Sequence, residues 1–404
     1  MLEAFKRSWI RRGAFASADP IARAPSGVRR IGLRLVVVFL SAMVPIGGLE
    51  LYLRAARPGS VGTMNAAAFT RVSLSPGQMT ELIPGAENPH FLGGGVRVNE
   101  HGFRGPSFAL AKPPGTTRVL AIGDSVTFGF GVPEERAFPS LLAASLSRGN
   151  GSRIEVINAG LPGAGLPYYF HASKRLCASV DPDLILVSLV LNDILVYPPE
   201  VMEDRPMPGA RGPADPAGWG GTLRGSYAYT AGFQTLKSVL YAVHILDLDD
   251  SPGYRFVPLE EPTDELELAW ASSLGILDQT LAAGAHCGVP VVIAVFPLEV
   301  QLSVAALAMY REGIGVPLAA NATNLAPQSR LQEWAGSRNV PFVDLTPAFQ
   351  VDDPGALYLR DAYVTLDPVH PSTLGHRRAA LLLDTALRAS NILAETPDHS
   401  TTTP

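Results

Sequence analysis

The sequence is poor in cysteine and in charged side chains, and each shortage excludes a class of protein. Its 404 residues include two cysteines, Cys177 and Cys287, which excludes a disulfide-dense scaffold and a cysteine-rich zinc or iron–sulfur site. The two could form one disulfide or none. Charged residues make up 17%, below the usual ~25%, and the formal net charge is -5. This near-balance gives no electrostatic reason for binding nucleic acid.

Apolar residues, by contrast, are abundant. They make up 47% of the chain, which is enough for a substantial core, so wholesale disorder is excluded. The mean hydropathy of +0.17 is high for a purely soluble protein. Low charge and high hydropathy together predict that part of the chain lies in lipid.

The apolar excess is concentrated in Leu35–Leu53, LVVVFLSAMVPIGGLELYL, where only Ser41 and Glu50 are polar. At ~1.5 Å per residue, a helix of this length roughly matches a ~30 Å hydrocarbon core. Most of the charged residues before this run are basic. The basic ones are Lys6, Arg7, Arg11, Arg12, Arg23, Arg29, Arg30 and Arg34, and the acidic ones are Glu3 and Asp19. The positive-inside rule predicts a cytoplasmic N-terminus and an extracytoplasmic remainder. We expect an uncleaved anchor; a cleaved signal peptide and a buried core helix are the alternatives.

Composition divides the chain into five predicted parts. They are a basic cytoplasmic N-terminus (1–30), a transmembrane anchor (31–55), a stalk or irregular linker (56–115), an α/β domain (116–392) with an insertion at about 197–262, and a disordered tail (393–404). Within the insertion, the Pro/Gly-rich stretch Glu203–Gly221 is predicted to form a lid or an acceptor-binding loop.

After residue 115, short apolar runs alternate with longer segments of helical pattern. Such runs are typical of parallel strands buried on both faces. The alternation predicts a three-layer α/β/α sandwich on a parallel sheet. The predicted strands are Arg118–Ile122, Ile154–Ile157, Leu184–Val190, Val291–Phe296 and Phe342–Leu345, and the predicted helices are Phe138–Leu146, Tyr168–Ser179, Glu265–Ala285, Ser329–Ala335 and Leu374–Leu387.

Polar residues or glycines follow several of these strands at their carboxyl ends, where ligand sites form in open α/β sheets. Ser125, in GDSVTFGFG after the first strand, could project its hydroxyl into a crevice or cap the following helix. Gly163, in NAGLPGAG after the second strand, could bring its N–H close to a ligand or belong to a plain turn. Asn192 and Asp193 end the third strand and need partners, either structural or from a substrate.

The segment LDPVHPSTLGH after the fifth strand places Asp367 three residues before His370. In one short turn, the two side chains can form a hydrogen bond without long-range help. The carboxylate would then fix the imidazole tautomer and stabilise the imidazolium formed when His370 accepts a proton. His376, at the start of an amphipathic helix, is predicted to pack structurally, and the sequence has no metal-binding spacing such as HExxH.

Together, the four blocks resemble the motifs of the SGNH, or GDSL, hydrolase superfamily. The matching residues are Gly123-Asp124-Ser125, Gly163, Asn192-Asp193 and Asp367-Pro368-Val369-His370, with Val190 where the family usually has glycine. The resemblance covers about Thr116 to Ala389. The N-terminal anchor and VNEHGFRG (98–105) are similar to a bacterial, membrane-tethered branch. The resemblance implies a five-stranded, flavodoxin-like parallel sheet.

The resemblance also implies roles for the motif residues. Ser125 would be the nucleophile, His370 its general base and Asp367 the residue that orients His370. The oxyanion hole would combine the backbone N–H groups of Ser125 and Gly163 with the Asn192 side chain, and neither a metal nor an organic cofactor is required.

The implied protein is a membrane-anchored, extracytoplasmic serine esterase acting on carboxylic esters of small molecules or of cell-envelope glycans or lipids. It would have no nucleic-acid partner. One alternative is an O-acyltransferase on a cell-envelope polysaccharide, in which a sugar hydroxyl replaces water. The other is a catalytically silent hydrolase-fold subunit of a membrane assembly.

Overall fold

This computed structural model describes most of the chain, which divides into two compact units after Leu51. The described residues are 26–56, 66–89, 91–92, 94–148, 153–206, 223, 225–242, 257–259, 263–313, 318–360 and 367–393. Among the residues outside them are 1–25 of the basic N-terminus, 57–65 of the predicted stalk, 207–222 with most of the predicted lid, and 394–404 of the predicted tail.

Helix α1 (Ser26–Ala56) contains the apolar run near the N-terminus. Its segment Val36–Ala55 is long and apolar enough to cross a membrane, with a mean hydropathy of 1.9 and 0% of it buried. Large apolar side chains on it, such as Val44 and Leu51, are exposed. The alternative of a buried core helix does not fit these exposures, because a core helix has its apolar side chains covered.

Two short antiparallel strand pairs precede the sheet: β1 (Thr70–Val72) with β2 (Thr80–Leu82), and β3 (Glu87–Asn88) with β4 (Val96–Arg97). The prediction of a stalk or irregular linker needs correction for the described part of this segment. Several of its apolar side chains belong to the same buried cluster as the sheet: Phe69, Phe91, Leu92, Val96, Val98 and Phe103. Burial of these aromatic and aliphatic groups makes the segment part of the domain core.

The second unit is built on a five-stranded parallel sheet, as predicted. Its strands are β5 (Thr116–Gly123), β6 (Arg153–Gly160), β7 (Leu184–Val190), β8 (Val291–Phe296) and β9 (Phe342–Asp344). They lie in the order β6-β5-β7-β8-β9, which is the flavodoxin-like order. Every residue of β5, β7 and β8 is buried, because helices cover both faces of the sheet.

Helices flank the sheet and lie in the connections between and after its strands. They are α2 (Ser125–Phe128), α3 (Phe138–Leu146), α4 (Leu166–Val180), α5 (Tyr227–Ala242), α6 (Asp264–His286), α7 (Val304–Ala308), α8 (Ala326–Ser337), α9 (Thr346–Phe349) and α10 (Thr373–Ala389). Helix α3 packs against α10, and α4 packs against α6. The three-layer α/β/α prediction is confirmed.

The two cysteines are joined in this structure. Cys177 lies in α4 and Cys287 directly follows α6, and their Cα atoms are 6.4 Å apart. This separation lies within the range that a disulfide spans. The bond therefore links the two packed helices α4 and α6 and answers the question that the sequence leaves open.

Candidate active site

The carboxyl ends of the three adjacent strands β5, β6 and β7 bring the motif residues to one edge of the sheet. Gly123 at the end of β5 is paired in register with Gly160 of β6 and with Ser188 of β7. Ser125 begins α2 two residues after Gly123. Gly163 follows the end of β6, and Asn192 lies in the short 3-10 turn that follows β7.

Two glycines allow α2 to begin directly on the strand ends. A Cβ on Gly123 would lie 2.0 Å from the Thr127 Oγ1, and a Cβ on Gly160 would lie 2.1 Å from the Phe128 backbone nitrogen. Any larger residue at either position would push α2, and Ser125 with it, away from the sheet.

Asp124, not Ser125, caps α2. The Asp124 carboxylate accepts a hydrogen bond of 2.8 Å from the Val126 N–H, which satisfies a free donor of the first turn. The Ser125 hydroxyl is therefore not used as a cap. Of the two roles that the sequence allows for Ser125, the structure therefore excludes the helix cap.

Ser125, His370 and Asp367 form one continuous chain of hydrogen bonds. The Ser125 Oγ lies 2.8 Å from the His370 Nε2, and the His370 Nδ1 lies 2.5 Å from the Asp367 Oδ2. The other carboxylate oxygen of Asp367 accepts from the backbone N–H groups of Val369 and His370 at 3.0 and 2.9 Å. The backbone of the turn thus holds the Asp367 carboxylate, and this carboxylate orients the His370 imidazole. The imidazole in turn lies within hydrogen-bond distance of the Ser125 hydroxyl.

The electrostatics of the pair favour a charged imidazole. Burial by itself would lower the pKa of His370, but the charge and the hydrogen bond of Asp367 outweigh it, and the pKa is raised above its ordinary value. For Asp367, burial would raise the pKa, but the charge and hydrogen bonds of His370 lower it. Asp367 is thus held as a carboxylate beside a group that readily takes up a proton.

Phe130 stacks on His370, with ring centroids 4.6 Å apart and an interplanar angle of 29°. It lies in the turn after α2, between Gly129 and Gly131, which both have positive φ. Sequence reasoning did not assign Phe130 to the site, although an aromatic residue between two glycines in GDSVTFGFG was a usable signal. The ring fixes one face of the imidazole.

Gly163 and Asn192 carry polar groups that the fold does not use. Gly163 has φ +75, a Cβ there would meet nothing within 4 Å, and within the described residues its N–H donates to no backbone carbonyl. The Asn192 Oδ1 is buried and has no hydrogen-bond partner among the residues that the structure describes. Buried polar atoms without a partner are uncommon in folded proteins and often occur at functional sites. Val190, where the family usually has glycine, has an extended backbone with φ -114, which any residue adopts.

Asp193, next to Asn192, has structural partners. Its Oδ2 accepts from the Tyr169 hydroxyl at 2.7 Å and from the Val190 N–H at 3.1 Å. Burial and the nearby Asp124 raise the pKa of Asp193 well above its ordinary value, and burial raises the pKa of Asp124 to about 6. Asp193 therefore ties the end of β7 to α4, and the Asn192 Oδ1 is the buried polar atom of this block without a described partner.

A second group of residues, which sequence reasoning missed, holds the turn that carries Asp367 and His370. The Glu299 N–H donates to the Pro368 carbonyl at 2.9 Å, and the Arg360 guanidinium donates to the Glu299 carboxylate and, at 3.3 Å, to the Asp367 carbonyl. Glu299 lies just beyond β8, so the neighbouring strand end supports the turn.

His376 packs in the core, as predicted. It is fully buried, and the Phe138 N–H donates to its Nδ1 at 3.2 Å. Burial, together with the charges of Arg104 and His370, lowers the pKa of His376 to about 3, so the ring is neutral near pH 7. Within the described ranges, no group of three or more His, Cys, Asp or Glu side chains is arranged to hold a metal ion.

Comparison with known proteins gives matches over the same region. The GDSL-like Lipase/Acylhydrolase family matches residues 121–378. An arylesterase from Vibrio mimicus is 32% identical over 93 residues, which are 23% of this chain and 46% of the arylesterase. The chain therefore spans about half the length of the curated relative that it matches.

The chain is also similar, at low identity, to solved structures. A lipase/acylhydrolase from Enterococcus faecalis is 14% identical with a TM-score of 0.37, over 68% of this chain and 96% of that one. A catalytic mutant of an acetylxylan esterase from Geobacillus stearothermophilus is 14% identical with a TM-score of 0.36, over 67% of this chain and 93% of that one.

Proposed function

The chain belongs to the GDSL-like lipase/acylhydrolase family, and on this premise we propose that it hydrolyses carboxylic esters through an acyl-enzyme formed on Ser125. The observation that carries the proposal is the unbroken chain of hydrogen bonds from Asp367 through His370 to Ser125. A nucleophile, a base in contact with it and a third group that orients the base are the parts that serine catalysis needs.

In the first half of the reaction, the Ser125 Oγ attacks the carbonyl carbon of the ester while the His370 Nε2 takes the hydroxyl proton. The tetrahedral intermediate then breaks its bond to the alcohol oxygen, and the proton on His370 passes to the leaving alcohol. The acyl group remains on Ser125. Because His370 must be neutral to accept the proton, its raised pKa is matched to a base that works near or above neutral pH.

In the second half, water replaces the alcohol. His370 takes a proton from the water as its oxygen attacks the acyl carbon, and it returns the proton to the Ser125 Oγ as the acid leaves. Asp367 stays ionised throughout and stabilises the imidazolium that forms twice in the cycle.

The negative oxygen of each tetrahedral intermediate needs hydrogen-bond donors. We assign this role to the backbone N–H groups of Ser125 and Gly163 and to the Asn192 side-chain amide. The Gly163 N–H supports the assignment, because it donates to no backbone carbonyl in the described residues. For Asn192, the donor would be the side-chain Nδ2.

We also propose that the second unit is extracytoplasmic and that α1 anchors it to a membrane. The apolar segment Val36–Ala55 and the basic residues before it support this topology. The bond between Cys177 and Cys287 supports the same side of the membrane, since structural disulfides persist in oxidising compartments. A catalytic domain tethered there meets acylated glycans and lipids of the cell envelope, which we propose as its substrates.

Labelling with a fluorophosphonate tests the serine mechanism. The reagent phosphonylates an activated serine, so the wild type should be labelled at Ser125 and Ser125→Ala should not, as read by peptide mass spectrometry. His370→Ala should label far more slowly than the wild type. Equal labelling of wild type and a folded Ser125→Ala protein would reject Ser125 as the nucleophile.

A further inference from the structure

Arg104, in the segment VNEHGFRG, is a buried cation that is paired with backbone carbonyls. It is 3% exposed and forms no salt bridge with any carboxylate that the structure describes. Its Nη1 donates to the carbonyls of Phe128, at 2.6 Å, and Gly129. Its Nη2 donates to the carbonyls of Val132, at 2.7 Å, and Gly95, at 3.0 Å. All four terminal N–H bonds of the guanidinium are thus used.

Three of the four carbonyls belong to the turn that follows Ser125. Phe128 ends α2, Gly129 is its C-cap with φ +84, and Val132 lies three residues further on. Carbonyls at a helix C-terminus lack partners within the helix and carry partial negative charge. Arg104 supplies both the donors and the charge that these groups need.

Arg104 is also linked to two other parts of the site, namely Phe130 and strand β6. Phe130, which stacks on His370, lies inside the turn held by Arg104. Asn158 pairs with Arg104 along the backbone, donates to the Phe128 carbonyl at 3.3 Å and accepts from the Gly160 N–H at 2.9 Å. Arg104 therefore contacts the serine turn through its guanidinium and β6 through its backbone, and β6 leads to Gly163.

We infer that Arg104 is a positioning residue for the reaction: by holding residues 128–132, it sets the Ser125 hydroxyl and the Phe130 ring against His370. This inference rests on the proposed serine mechanism. On this inference, the segment VNEHGFRG contributes to the site through the Arg104 side chain. Arg104 contacts neither the reacting atoms nor the substrate.

An arginine is needed because four carbonyl oxygens accept hydrogen bonds from the two terminal nitrogens of one side chain. The guanidinium is planar and directs its N–H bonds in a fixed fork, whereas a lysine ammonium has three donors on one atom. Burial lowers the pKa of Arg104 to about 10, with Glu134 and Glu135 opposing the shift, so the group remains a cation near neutral pH. A buried charge is stabilised by hydrogen bonds, and here both terminal nitrogens of the guanidinium are used, whereas the Nε has no described partner.

The test compares two Arg104 variants of the full chain with a matched control. Arg104→Lys keeps the charge but loses the fork, and Arg104→Met loses both. The control is Arg118→Met, because Arg118 is also fully buried and also donates to backbone carbonyls, those of Leu110, Val180 and Ala109, but at the amino-terminal end of β5. Unlike Arg104, it also pairs with a carboxylate, that of Glu155, at 2.8 Å. Each variant is assayed for hydrolysis of p-nitrophenyl acetate, for the rate of fluorophosphonate labelling and for its Tm.

We expect kcat and the labelling rate of both Arg104 variants to fall on the order of 10²-fold with little change in KM, the scale of a small misplacement of reacting groups. Arg104→Lys should recover little of the loss. Arg118→Met should lower Tm as much as the Arg104 variants do, with kcat like that of the wild type. A merely structural role predicts instead that Arg104 and Arg118 variants behave alike.

Wild-type kcat and labelling in either folded Arg104 variant would overturn the inference. If neither variant folds, Gly129→Ala serves in their place, because at φ +84 its Cβ would lie 2.6 Å from the Ala137 Cβ and 2.9 Å from the Arg104 Nη1, so the turn and the guanidinium must shift. Wild-type kcat there would overturn the inference as well. Ser125→Ala in the same assay separates the two claims. Full activity of that variant refutes the serine mechanism itself, whereas an inactive Ser125→Ala beside active Arg104 variants refutes only the role of Arg104.

Discussion

At the scale of single residues, Asp367 acts on His370 in two ways that can be measured separately. It fixes the tautomer through the 2.5 Å bond to the His370 Nδ1, and its charge raises the pKa of the imidazole. The tautomer determines kcat when His370 is neutral. The raised pKa determines the pH above which His370 is neutral.

Replacing Asp367 should therefore change both the rate and the pH profile. Asp367→Asn should lower kcat on the order of 10⁴-fold, because the amide favours the wrong tautomer. In the wild type, kcat/KM should fall as the pH drops through a value above 6.5, where His370 is protonated. In the variant this fall should move to lower pH, because the charge that raises the pKa is gone. The pH dependence of kcat/KM measures both.

A matched control is Asp344→Asn. Asp344 ends β9 and also accepts a backbone hydrogen bond, from the Thr346 N–H at 2.9 Å, without contacting His370. Its variant should keep the wild-type rate and pH profile. A pH limb that stays in place when Asp367 is replaced would contradict the assigned cause of the shift.

Asn192 should matter through the transition state alone. Asn192→Ala should lower kcat by about 10²–10³, the usual cost of one oxyanion-hole donor, because the Asn192 side-chain oxygen has no described partner and the fold loses little. KM and Tm should stay near the wild-type values, and fluorophosphonate labelling should be slowed rather than abolished. A loss of Tm in proportion to the loss of activity would instead indicate a structural role.

At the scale of elements, the sheet was predictable because its strands are short apolar runs, of which β5, β7 and β8 are buried throughout. Predicted and observed bounds agree for β7, β8 and α3. The start of β5 was missed because Thr116 and Thr117 are polar yet buried, and their burial depends on the segment packed over them rather than on their own sequence.

The disulfide between Cys177 and Cys287 joins α4 to the end of α6. The sequence alone does not show whether this bond forms. Removing it with Cys177→Ser and Cys287→Ser together should lower the free energy of unfolding by about 2–4 kcal/mol, because the bond closes a long loop in the unfolded chain. The kcat should be unchanged, since neither cysteine touches Ser125 or His370. Urea unfolding of wild type and variant, each with and without reductant, measures this.

Reductant should destabilise the wild type and leave the double variant unaffected. Equal unfolding midpoints for the oxidised wild type and the variant would show that the bond contributes nothing to stability.

At the scale of the whole molecule, the site is assembled from segments far apart in the chain. The motif residues could be placed at one sheet edge from the sequence, because parallel strands end at the same edge. The contacts of Arg104 with residues 128–132 and of Phe130 with His370 could not, because they depend on how separate turns pack. The burial of apolar side chains between residues 69 and 103 was not predicted, for the same reason. A composition rich in Gly, Pro and Ala favoured the prediction of a stalk instead.

The topology of the molecule is open to a direct labelling test. Thr385 lies exposed on α10, so Thr385→Cys should react with a membrane-impermeant maleimide in intact cells or spheroplasts, whereas Ser8→Cys should not. The wild type is the control, because its two cysteines are bonded to each other and should not react. Labelling of Ser8→Cys alone would reverse the proposed orientation.

The central claim is that Ser125 and His370 act as one catalytic unit, and the kcat for ester hydrolysis by Ser125→Ala, His370→Ala and the double variant tests it most directly. Members of such a unit lose activity together, so each single variant should lose about 10³-fold or more and the double variant should be little worse. Circular dichroism should show all three to be folded. Full activity in a folded Ser125→Ala protein, or single losses that multiply in the double variant, would contradict the account.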